Sequence, residues 1–180
     1  KAWQATDKYP ILDIFSENPE GGDGEEYVPE SDEDAKGIWK GVVAETFSDN
    51  TSKGTKDDPI VLATTGELAL ALEIGGGGKY YKLAKDMYVN DINVKGWFTK
   101  DDLNTWFVNK EFSGHIDGAG HIVYGLYYPA TTSGDVGLIP RMISGSITNL
   151  GLRYGKVNST SANGVGALIG WAKDVITIER

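Results

Sequence analysis

His115 and His121 are the only histidines of this 180-residue chain, and Asp117 lies between them. On a strand, His115 and Asp117 point to the same side. Metal ligation or an acid–base pair is the chemistry those side chains would permit. The following residues argue for a structural role instead. Asp117-Gly118-Ala119-Gly120 is a turn signal, because an aspartate carboxylate bonds backbone N–H groups just ahead of it and glycine accepts left-handed angles. Asp117, Gly118 and Gly120 are therefore expected to make a turn, with Gly125 and Gly151 turning the chain after the next apolar runs. Sugar hydrolysis would need two carboxyl groups at a defined separation. Asp86, Asp91 and Glu111 are the strand-borne candidates, and none falls into register with another. A lyase acting on an acidic sugar would need clustered bases, and only Lys82 and Lys85 are close. No catalytic residue is assigned, and the chain reads as a non-enzyme.

Binding chemistry has more candidates. Trp97, Phe98, Trp106 and Phe107 lie together in residues 96–112. Such rings either cover a core or offer a face to a sugar. Polysaccharide is thus a candidate partner through Trp97, Phe98 and Trp106. Asp32, Glu33 and Asp34 supply oxygens for calcium, but their spacing lacks the alternating ligands and central glycine of an EF-hand loop. Calcium stays a weak alternative to no cofactor at all. Gly75 to Gly78 would need a helix and a Lys-Ser/Thr pair after it to cradle phosphate. Lys79-Tyr80-Tyr81 opens a strand there instead. With no cysteine, disulfides, thiolate metal sites and a cysteine nucleophile are excluded.

The elements that hold these residues are short and strand-like. Glycine is frequent, at 24 residues, which favours a turn-rich β protein. A net charge of −9 argues against nucleic acid and against anionic membrane. No apolar run is long enough for a membrane-spanning helix, and no secretory signal opens the chain. The first residue is Lys1, which points to an excised or processed piece. Residues 1–15 carry Trp3, Tyr9, Ile11, Leu12, Ile14 and Phe15 and read as an apolar strand after the Pro10 turn. Residues 16–36 hold nine acids, two prolines and three glycines, a composition that cannot bury enough apolar surface to fold. They read as a flexible acidic linker to a module spanning 37–180. Within the module, Ile60-Val61-Leu62 is a strand, and Thr64-x-x-Glu67 is a capping box opening a helix that runs to about Leu72. Tyr80 to Leu83 and Met87 to Val89 are strands, and Thr99 is a candidate cap for one helical turn over Lys100 to Trp106.

The second half repeats. FSGHIDGAGHIVYGLYY (Phe112 to Tyr128) matches ISGSITNLGLRY (Ile143 to Tyr154), which puts Ile122 and Ile147 at like positions. VGLI from Val136 returns as VGALI from Val165. The final alternating stretch Val175 to Glu179 aligns Ile176 with Ile147. A period of roughly 20–30 residues built from short strands and glycine turns predicts a solenoid, whose coils bury their apolar faces only against neighbours.

GTKDDPIVLATTGELALAL, then YYKLAKDM with FSGHIDGAGHIVYGL, then VGLI, ITNLGL and VGALIG resemble, in order, bacterial surface proteins with GLUG-type repeats. The resemblance covers about residues 37–180. It implies an all-β fold, a right-handed parallel β-helix with one short capping helix, and a place outside the bacterial cell in adhesion or scaffolding. Residues 1–15 also resemble the end of such a module. One departure stands out: only a few coils follow the entry segment, and the last is an apolar strand without a closing cap. An open parallel edge templates pairing with other chains. The expected self-association surface is therefore Trp3, Tyr9, Ile11, Leu12, Ile14 and Phe15 of one copy against Val175, Ile176 and Ile178 of the next, giving head-to-tail growth by strand addition. The alternative is a carbohydrate-binding adhesin module.

Overall fold

The computed structural model describes residues 37–93, 96–100, 102–108, 111–159 and 164–179. The chain divides into two units, Lys1–Glu30 and Ser31–Arg180, and every described residue belongs to the second. The apolar segment of residues 1–15 and the acids Asp32, Glu33 and Asp34 lie outside the described residues.

Strand β1 (Ile60–Leu62) leads through a short loop into the helix α1 (Thr65–Glu73). The capping box forms as its sequence requires: Thr64 Oγ1 accepts from the Glu67 N–H at 3.2 Å, and Glu67 reaches back to the Thr64 N–H. After α1, Gly75, Gly76, Gly77 and Gly78 all take positive φ. Four successive left-handed positions end the helix and return the chain for β2 (Tyr80–Leu83) and β3 (Met87–Tyr88). A 3₁₀ turn (Trp97–Thr99) opens the aromatic segment. Then come β4 (Glu111–Asp117), β5 (Ile122–Tyr124), β6 (Tyr127–Tyr128), β7 (Ile139–Thr148), β8 (Gly151–Arg153), β9 (Lys156–Val157), β10 (Ile169–Ala172) and β11 (Ile176–Glu179).

Every pairing among these strands is parallel, and they form three sheets. The largest runs β1-β2-β4-β7, with β10 and β11 end to end along the far edge of β7. The second is β3-β5-β8 and the third β6-β9. Two successive passes, β4-β5-β6 and β7-β8-β9, visit the three sheets in the same order, and each strand of the second lies on its counterpart in the first. Inward positions form a ladder: Ile60, Tyr81, Ile116, Ile147 and Ile178 are Cα partners in sequence. The first four are buried and make the core with Leu62, Leu83, Phe112, Met142, Val123 and Leu138. The architecture is strand-rich with a single α-helix, and no sheet among the described residues closes into a barrel.

The register corrects two expected alignments. Ile147 pairs with Ile116 rather than Ile122, and Ile122 pairs with Gly151. Likewise Ile178, not Ile176, lies on Ile147, and Ile176 lies on Gly145. The match that controls register is Ser-Gly-x-Ile: Ser113 on Ser144, Gly114 on Gly145, Ile116 on Ile147. Backbone packing explains its precedence. Gly145 has φ +116, and a Cβ there would overlap the Gly114 carbonyl oxygen, so these two glycines must face each other. Between Phe112 and Ser113 the register shifts by one residue, a bulge that leaves Ile143 without a partner on β4. The expected VGLI repeat is as read, with Val136 bridged to Val165.

The expected helical turn over Lys100 to Trp106 does not form. The 3₁₀ turn precedes it, Lys100 is extended, and residues 102–108 run without regular structure. Burial outcompetes the local signal. Trp106 is fully buried, stands edge-on to Trp39 at 5.0 Å, and donates from Nε1 to Leu138 O at 2.9 Å. Two asparagines hold the segment in place. Asn90 Nδ2 donates to Asn104 O and Gly125 O at 2.9 and 2.8 Å, and Asn90 Oδ1 accepts from the Asn104 N–H at 2.7 Å.

Candidate functional site

The two edges of the large sheet are built differently. At β1, Leu62 faces β2, because its carbonyl accepts from the Ala84 N–H at 3.0 Å. The alternate N–H groups of Val61 and Ala63 therefore point away from the sheet. Both meet carboxylates: Val61 donates to Asp49 Oδ2 at 3.0 Å and Ala63 to Glu67 Oε2 at 2.6 Å. Asp49 also accepts from the N–H groups of Thr51 and Ser52 and from Ser52 Oγ. The Ser52 hydroxyl and these backbone donors hold its carboxyl well below the usual carboxylate range. Glu67 also takes the Ser48 N–H at 2.6 Å. With Phe47 and α1 packed on the core beside it, this end of the stack is closed.

Among the described residues the far edge has no such cover. The carbonyl of Glu179 accepts from the Asn149 N–H at 2.9 Å, so Glu179 and Thr177 face β7. Ile176 and Ile178 turn their backbone groups outward. Among the described residues no strand pairs with β10 or β11 on that side, and β8 and β9 likewise each have one neighbour. The side chains follow. Ile116 and Ile147 are each 1% exposed, whereas Ile178 on the same ladder is 59% exposed and Val175 is 88% exposed. Leu152, Val157, Leu168, Ile169 and Ile176 are only half-buried against the core. Tyr154 belongs to the same face. Its φ of +52 is unusual for an aromatic residue; it extends the Tyr88–Tyr124 ring stack and is half exposed. Arg153, Lys156 and Lys173 stand on this last pass against Asp174 and Glu179, a local excess of positive charge on an acidic chain. No helix among the described residues is long and apolar enough to cross a membrane.

Of the expected self-association residues, Val175, Ile176 and Ile178 come together on this edge. The aromatic candidates do not form one surface. Trp97 and Trp106 are buried, so neither offers a face to a ligand. Phe98 and Phe107 are the exposed rings, and Lys156 Nζ lies 5.5 Å from the Phe98 centroid. Asp117 makes the expected turn, accepting from the Ala119 N–H at 2.8 Å and from Asn149 Nδ2 at 3.1 Å. A Cβ on Gly118 would collide with the Asn149 carbonyl oxygen, Gly120 and Gly125 have positive φ, and Gly151 sits against Ile122. Asp86 pairs with His121 Nδ1 at 3.2 Å and takes the Ile122 N–H, and Glu111 pairs with Arg141 at 3.2 Å. These two carboxylates serve cross-strand contacts. No group of three or more His, Cys, Asp or Glu among the described residues is placed to hold a metal.

Sequence reasoning missed the Asn90–Asn104 clamp, the left-handed Tyr154 and the cross-strand neighbours of His115. Single asparagines carry no periodic signal, and the His115 partners, Tyr80 and Ser146, come from the passes before and after its own. Comparison of the chain with protein-family models, with curated proteins and with solved structures finds no match.

Proposed function

We propose that this chain is a structural subunit of the bacterial cell surface that self-associates head to tail through its open sheet edge. In this reading the three sheets are the faces of a short right-handed parallel β-helix, and the last pass accepts a strand from residues 11–15 of another copy. The observation that carries it is the apolar ladder that stays buried through Ile147 and surfaces at Ile178. Unpaired edges with apolar side chains recruit strands. The opposite end is blunted by Asp49 and Glu67, so two cores stacked end to end would gain little. A separate donor segment is the matching partner. Ile11-Leu12-Asp13-Ile14-Phe15 is apolar and strand-forming, and the acidic linker after it complements Arg153, Lys156 and Lys173 beside the edge. The extracellular setting rests on the resemblance to GLUG-repeat surface proteins.

Electron microscopy of the full chain, of a version without residues 1–15, and of Val175→Lys with Ile178→Lys tests the reading. Filaments or chains of subunits are expected from the first and from neither of the others. A tenfold rise in salt, from about 0.05 to about 0.5 M, should shorten them, since it cuts the Debye length from roughly 14 to roughly 4 Å and screens the linker contact. Monodisperse monomers from the full chain, or assemblies that survive both changes, would overturn it.

A further inference from the structure

The outward face of the large sheet carries a second feature, built from side chains rather than from the backbone groups of the edge. A groove of about 530 Å³ runs across the strands, lined by residues of several passes. Its floor is one outward row: Tyr80, His115, Ser146 and Thr177 in register from β2 to β11, with Pro59 just ahead of β1 also lining the groove. Beside it runs a second row of Lys82, Asp117, Thr148 and Glu179. Tyr80 and His115 lie ring on ring, with centroids 4.0 Å apart and planes within 9°. His115 Nδ1 meets Ser146 Oγ at 2.9 Å, which leaves Nε2 as the ring's free nitrogen. Burial, and then the charge of Lys56, push the imidazole below its ordinary value of 6.5, so at neutral pH it is uncharged, with one ring nitrogen a donor and the other an acceptor.

The chemistry of the ligand follows by elimination. The floor is a sheet face whose backbone bonds are already used in pairing, so no strand can add there and any ligand is held by side chains. The groove is open and crosses four strand spacings between Pro59 and Thr177, about 19 Å. That shape suits a segment of an extended polymer more than a compact molecule. Asp117 and Glu179 are matched by Lys56 and by Lys82 in the second row, so the charges around the groove balance and favour neither a polyanion nor a polycation. What remains is a regular grid of hydroxyls, an imidazole and carboxylates beside the apolar rims of Tyr80 and Pro59. Such a mixture of donors and acceptors on a partly apolar floor is complementary to the alternating hydroxyl and C–H surfaces of sugars. We propose that this groove binds a neutral polysaccharide, which lies across the strands and contacts Tyr80, His115, Ser146 and Thr177.

Affinity electrophoresis through gels containing xylan, mannan, mixed-linkage β-glucan or starch tests this, with polygalacturonate as the charged control. The expected result is retardation by at least one neutral polymer, lost in Ser146→Lys and Thr177→Lys, whose added side chains point into the groove from solvent-facing positions. Retardation should persist in the Val175→Lys, Ile178→Lys protein, which separates this site from the assembly edge. A second readout does not depend on variants. In proton–nitrogen spectra, an oligosaccharide of the retaining polymer should move the ring signals of His115 and leave those of His121 in place. No retardation by any neutral polymer, retardation by polygalacturonate alone, or equal movement of both histidines would overturn the proposal.

Discussion

His115 couples the groove to folding stability through its proton. Its folded-state affinity for a proton is reduced, first by burial and then by Lys56, so the unfolded chain takes up a proton at higher pH than the folded one. Stability from this residue is complete above about pH 6.5 and is lost as pH falls from there toward the folded value. Thermal unfolding at pH 7.5 and 5 should therefore show a drop in Tm that becomes smaller in His115→Gln. A midpoint for the His115 ring signal below 6.5 should accompany it, and an unchanged pH slope in the variant would refute the assignment. The sequence made the outward pairing of His115 with Asp117 legible, because strand alternation alone dictates it. It did not reveal that Tyr80 and Ser146 flank the ring, since those neighbours depend on register between passes.

At the scale of elements, the chain shows which local signals survive packing. The capping box of α1 and the glycine run after it were legible, because both act through backbone groups close by in sequence. The helical turn at Lys100 to Trp106 was not realised, because burying Trp106 outweighs one marginal turn. Register was harder still. A Gly-Leu match sets Ile147 against Ile122, whereas the close approach of Gly114 and Gly145 sets it on Ile116. No periodicity in one sequence separates the two. The aromatic segment owes its position to the Asn90–Asn104 clamp, in which Asn90 is buried with all its polar contacts internal. Asn90→Ala should cost about 2–3 kcal/mol, through lost bonds and the unpaired Asn104 and Gly125 groups it leaves. Hydrogen exchange should rise first around residues 102–108, and protection equal to the parent protein there would sink this account.

At the largest scale, the large sheet of the described residues has two unlike edges. Ile147→Ala removes a side chain from the middle of the ladder and should cost roughly 2–5 kcal/mol. Ile178→Ala, one rung later, removes a side chain that is mostly in water and should stay within about 0.5 kcal/mol. Urea unfolding of the dilute, unassembled protein reads both, and similar losses at the two positions would mean that the last rung is covered. The closed end at β1 and the open edge at β10 and β11 have a mechanical consequence. Each strand of the final pass is attached to the rest on one flank, β10 and β11 to β7, β8 to β5, and β9 to β6. Tension applied across the strands loads those hydrogen bonds one after another and peels the pass away. Tension applied along the strands loads them together. A load attached at that edge would accordingly yield to a sideways tug and resist a lengthwise one, giving the folded unit a direction of strength.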